Sequence, residues 1–113
     1  MDIQTTRHGD VILVSLEGDA LGGPDGSALH DALHAQRGDG PLRAVVDLEG
    51  VRHMNSSGLG MLIGALTTAR NTGGDLRLTG ASERVQMLLE VTQLDGVFQS
   101  FDSADAAVAS FGE

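Results

Sequence analysis

The sequence predicts an α/β fold: a mixed, mostly parallel β-sheet of four or five strands with about four helices packed against it. Short β-branched apolar runs alternate with segments of helical periodicity. Glycine or proline clusters punctuate the chain between them. Its 113 residues contain no long linker, internal repeat or low-complexity tract, so residues 1–113 read as one domain.

The elements follow in order. Ile3 to Arg7 reads as an edge strand, turned through Gly9-Asp10 onto a buried strand, Val11 to Leu16. The glycine-rich stretch 18–26 reads as a loop. Leu29, Ala32, Leu33 and Gln36 fall at helical spacing before the breaker Gly38-Asp39-Gly40-Pro41. Arg43 to Leu48 reads as a central strand. Leu59, Leu62, Ile63, Leu66 and Ala69 make the stripe of a helix that stops at Gly73-Gly74. Asp75 to Thr79 alternates like a strand. Ser82 is placed to cap a helix burying Val85, Leu88, Leu89 and Val91. Val97 to Phe101 reads as the last strand, and Ser103 as the cap of a helix with Ala107, Val108 and Phe111 inward.

Composition narrows the function classes. The chain has no cysteine, which removes disulfides and thiolate metal sites and fits a cytoplasmic protein. Its start is acidic and polar, unlike a signal peptide, and no apolar run approaches the roughly 20 residues of a membrane span. The net charge is -9, with no lysine. Such a surface disfavours nucleic acid and anionic lipid, and suits either solubility or a basic protein partner. Tyrosine and tryptophan are absent, so stacking platforms for single strands are missing.

The segment Met54-Asn55-Ser56-Ser57-Gly58-Leu59-Gly60-Met61 joins the central strand to the glycine-studded helix. Asn55, Ser56 and Ser57 all suit an N-cap, and capping alone accounts for a serine there. The same place offers free N–H groups and a partial positive charge, which accept a phosphate carried by the chain. Gly58 and Gly60 keep the first turn open to a partner. Met61 has two destinations: outward in a binding surface, or packed on a neighbouring helix.

Other signals fail. Gly58 and Gly60 are not followed by the Gly-Lys-Ser/Thr of a phosphate loop. No Gly-x-Ser-x-Gly elbow is present. His30 and His34 lie four apart, but no third ligand accompanies them, so no metal and no cofactor is expected. His53 is placed to meet a phosphate or a base, or simply to lie exposed. Asp47 and Glu49 read as strand-end turn residues, with help to a kinase's metal as the alternative. No general acid and base are paired, so an enzyme is not expected.

The strand ending Val46-Asp47-Leu48, the short loop and then Asn55-Ser56-Ser57-Gly58-Leu59-Gly60 resemble the signature of the STAS domain family, the sulfate-transporter and anti-sigma-factor-antagonist family. Most of the chain shares the likeness, from VILVSLEGDAL to FDSADAAVASF. The free-standing bacterial members are anti-sigma factor antagonists. The resemblance implies a partner switch regulating transcription. Ser56 is the implied phosphorylation site, and Ser57 caps or shapes the loop. The unmodified protein binds an anti-sigma factor that is a serine kinase and frees a sigma factor. Phosphorylation ends the binding and a phosphatase restores it. The implied partner-binding set is Asn55, Ser56, Ser57, Gly58, Leu59 and Met61, in a monomer or weak dimer. Asn55 departs from the family's usual aspartate, and Leu21-Gly22-Gly23-Pro24 from its usual polar residues. The alternative is a non-phosphorylated STAS scaffold in a signalling or lipid-transport complex. A third reading, a nucleotide-binding domain, suffers from the missing phosphate loop.

Overall fold

The computed structural model describes residues 2–20, 24–36 and 40–112. Nine elements follow along the chain: β1 (Asp2–His8), β2 (Val11–Ala20), α1 (Pro24–Gln36), β3 (Arg43–Met54), α2 (Ser56–Asn71), β4 (Asp75–Thr79), α3 (Glu83–Val91), β5 (Ser100–Phe101) and α4 (Ala104–Ser110). The strands form one sheet in the order β1-β2-β3-β4-β5. β1 runs antiparallel to β2, and all other neighbours are parallel. This is the mixed sheet and helix complement expected from the sequence.

Strand alternation sends side chains to two faces. Ile12, Val14 and Leu16 of β2, Ala44, Val46 and Leu48 of β3, and Leu76 and Leu78 of β4 enter the larger core. Leu29 and Leu33 of α1, Leu59, Leu62 and Leu66 of α2, and Val85 and Leu89 of α3 cover it. The opposite face is smaller: Val11 and Val45 meet Ala107 of α4, flanked by Phe101, Val108 and Phe111. Helices thus lie on both sides of the sheet.

The hairpin turns at Gly9-Asp10, where Gly9 takes a positive φ of 64°. Ser82 and Ser103 cap α3 and α4 as expected, accepting from the Val85 and Ala106 N–H groups. α2 stops before Gly73, whose φ is 86°.

Several expectations need correction. The predicted loop 18–26 is strand up to Ala20 and helix from Pro24, where proline suits the first helical position. Residues 21–23, and the breaker positions 38 and 39, lie outside the described residues. β3 continues past Leu48 to Met54. The predicted strand Val97 to Phe101 shrinks to Ser100–Phe101, because the N–H groups of Val97 and Phe98 both turn back to the Leu94 carbonyl. Val91 faces solvent, 75% exposed.

The extra length of β3 positions the site. β4 pairs with β3 only along Arg43 to Asp47. Beyond that, β3 is bonded to β2 alone, with register shifts between Ser15 and Glu17 and between Gly18 and Asp19. At the first shift, Asp47 Oδ1 accepts from the Glu49 N–H at 2.9 Å. Asp47 is the turn-type residue of the plainer expectation. The two strands therefore leave the sheet as a ribbon, in which Asp19 sits opposite His53 and Ala20 opposite Met54.

Candidate functional site, the start of helix α2

The ribbon ends where α2 begins. Asn55 is extended, with φ -108° and ψ -175°, and is the N-cap. Its side-chain oxygen accepts from the Gly58 N–H at 2.8 Å, and its carbonyl accepts the first helical bond from Leu59 at 2.9 Å. The cap needs an acceptor oxygen and no charge, so asparagine serves as well as the aspartate of the family signature. Ser57 is not the cap.

This leaves both serines unoccupied. Ser56 and Ser57 are exposed, and neither hydroxyl is hydrogen-bonded within the described residues. The first turn of α2 carries no acidic residue, while α3 has Glu83 and α4 has Asp105 in theirs. The last turn of α2 carries Arg70, the sign the helix dipole favours.

The rest of the predicted partner-binding set is not surface. Gly58 and Leu59 are buried, and Met61 is only 8% exposed. Met61 packs beside Gly26 of α1, so the outward destination is wrong for it. The accessible part of the set is Asn55, Ser56 and Ser57. Gly60 and Gly64 extend it, since both are exposed and a methyl added to either would touch nothing.

Two side chains near the turn escaped sequence reasoning. Arg84, near the start of α3, lies 2.7 Å from Nδ1 of His53 through Nη1. Arg52 pairs with Asp19 at 3.9 Å, across the ribbon. Only the topology brings α3 beside the end of β3. His30 and His34 pack their rings 4.3 Å apart on the exposed side of α1.

A cleft of about 450 Å³ lies elsewhere, at the C-terminal ends of β4 and β5, lined by Thr79, Gln86, Glu90, Asp95 and Asp102 among others. It does not include the serines. Exposed apolar side chains occur at Met87, Val91 and Val97.

A mixed sheet with helices on both faces, and two serines exposed at a helix start, defines an α/β domain of one sheet between two helical layers. The chain belongs to the STAS domain family, whose sequence model matches residues 2–107. It is 31% identical over 96 residues to the anti-sigma-B factor antagonist of Staphylococcus epidermidis, covering 83% of this chain and 86% of that one. Against the Staphylococcus aureus anti-sigma-B factor antagonist it is 36% identical over 66 residues, 58% of this chain and 61% of that protein's length. Among solved structures, an anti-sigma-factor antagonist (STAS) domain protein from Planctomyces limnophilus superposes with a TM-score of 0.83 at 21% identity, over the full length of both chains. The Bacillus cell-fate determinant SpoIIAA in its phosphorylated form gives 0.69 at 14% identity, covering 97% and 99%. These structural likenesses support the fold.

Proposed function

We propose that this protein is an anti-sigma factor antagonist whose docking to an anti-sigma factor is switched by phosphorylation of Ser56. The reading makes residues 1–113 one cytoplasmic binding unit rather than an enzyme. The observation that carries it is the division of labour at the start of α2. Asn55 does the capping, so the exposed Ser56 hydroxyl has no structural duty. The staphylococcal relatives favour this reading over a non-phosphorylated scaffold.

The partner supplies a kinase. Oγ of Ser56 attacks the γ-phosphorus of ATP, the hydroxyl proton leaves, and ADP departs. The product carries about -1.5 to -2 charges at pH 7. Set inside an interface, that charge must be desolvated, and a loss of about 3 kcal/mol already weakens binding more than 100-fold. No rearrangement of the fold is needed, and a phosphatase reverses the change.

The test uses the full chain with a purified candidate anti-sigma factor and ATP. The expected result is a single phosphate mapped to Ser56 and loss of the complex as it accumulates. Ser56→Ala should bind as wild type does and stay bound in ATP. Phosphate on Ser57 alone, or a complex indifferent to Ser56 phosphorylation, contradicts the assignment.

A further inference from the structure

Among the described residues of this acidic chain the arginines mostly face aspartates. Arg43 lies within ion-pair distance of Asp10, Arg52 of Asp19, and Arg70 and Arg77 of Asp75. Arg7 donates to the carbonyl of Gln36, the last residue of α1. Arg84 differs. Among the described residues it has no carboxylate partner, although acidic side chains outnumber basic ones 16 to 7. Its guanidinium instead meets the ring of His53, two residues before the Asn55 cap. Guanidinium only donates, so Nδ1 of His53 is the accepting atom of this contact.

We propose that Arg84 is the counter-charge for a phosphate on Ser56, with His53 holding it in reserve beside the turn. This rests on the reading of Ser56 as the phosphoacceptor. His53 and Ser56 are three residues apart, at most about 10 Å of chain. Arg84 already reaches His53, and an exposed side chain changes rotamer within nanoseconds. The planar fork of arginine suits phosphate oxygens, and a charge-assisted bond to them is roughly twice as strong as a neutral one. Transfer of the guanidinium leaves Nδ1 of His53 to solvent, since that ring is exposed. The other charges here are Asp19, opposite His53 and engaged by Arg52, and Glu83, next to Arg84 in sequence. One guanidinium offsets part of the phosphate's roughly -1.5 to -2 charges within the modified chain and leaves the rest to oppose docking.

The experiment installs phosphoserine at position 56 during translation, without a kinase, and follows its second ionisation by phosphorus NMR. In the wild-type chain the midpoint should lie about 0.5 pH unit below that of Arg84→Gln, roughly a threefold change in proton affinity. Arg84→Lys should fall between them, because it keeps the charge and loses the fork. Equal midpoints for wild type and Arg84→Gln overturn the contact. That result does not depend on a kinase. A kinase that ignores Ser56 therefore counts against the phosphorylation reading, while equal midpoints count against Arg84.

Discussion

The two ends of helix α2 are built in opposite ways. At its C-terminal end the chain is locked to the sheet. The Thr72 hydroxyl donates to the Ala69 carbonyl and accepts from the Leu42 N–H, both at 2.7 Å. The Gly74 N–H returns to Ala69, and the Asp75 N–H donates to the Leu42 carbonyl as β4 starts. Arg70 adds bonds to Asp75 and to the Val97 carbonyl. At its N-terminal end one side-chain bond, from Asn55, closes the helix, and Ser56 and Ser57 face solvent unbonded. The C-terminal end fixes the helix. The other end is free to take a modification without disturbing the core.

Gly74→Ala probes the tight end hardest. A methyl there would overlap the Leu42 carbonyl and lie 2.9 Å from the Leu42 nitrogen. The backbone cannot step aside without breaking the α2–β4 junction, so a loss of about 3 kcal/mol is expected. That is a large share of the stability of a small domain. Urea unfolding reads it directly. A midpoint equal to wild type would show that this junction gives way easily, and the contrast between the two ends would fail.

Thr72→Val is next in size. Valine keeps the shape and removes the hydroxyl, leaving the Leu42 N–H without its acceptor. The expected loss is about 2 kcal/mol. Thr72→Ser keeps both bonds and should lose much less. If serine and valine are equally destabilising, packing and not hydrogen bonding holds this end.

How legible these ends were follows from their physics. The stop at Gly73-Gly74 and the caps Ser82 and Ser103 could be read because each is a local device with its own residue types. The buried halves of β2 and β3 could be read as apolar runs because both faces of the sheet are covered there, and β4 could be read by its alternation. The ribbon could not. Glu17, Gly18, Asp19, Glu49, Gly50, Arg52 and His53 show no apolar period, because ladder bonds hold the two strands there and Val51 is the one buried residue of β3 beyond Leu48. Val91 misled because its composition says core, while its place on α3 is about 200° round from Leu89. Met61 stayed undecided between its two destinations because nothing in the sequence says that α1 lies against α2. The serine turn was visible as a motif. Which of its three polar residues caps the helix was not, since Asn, Ser and Ser are all good caps. Arg84 is thirty-one positions from His53, and only the fold joins them.

The smallest expected effects decide the loose end. Asn55→Ala removes the single cap and should lose about 1 kcal/mol. Ser57→Ala should change stability by about 0.3 kcal/mol or less, since its hydroxyl bonds to nothing in the fold. Equal losses for the two would mean that Ser57 shares the capping, and Ser56 would then be less free than its exposure suggests. Asn55→Asp sharpens the point. It retains the acceptor oxygen and adds a negative charge where the helix dipole favours one, so the unmodified protein should be at least as stable as wild type. Stability therefore gives no reason for asparagine here. The same carboxylate would stand beside a phosphate on Ser56 and repel it. The change in stability on phosphorylation should thus be less favourable in Asn55→Asp than in wild type, and thermal melts of both proteins, each with and without the phosphate, measure the difference. If phosphorylation shifts the two melts alike, the neutral cap has no bearing on the charge beside it.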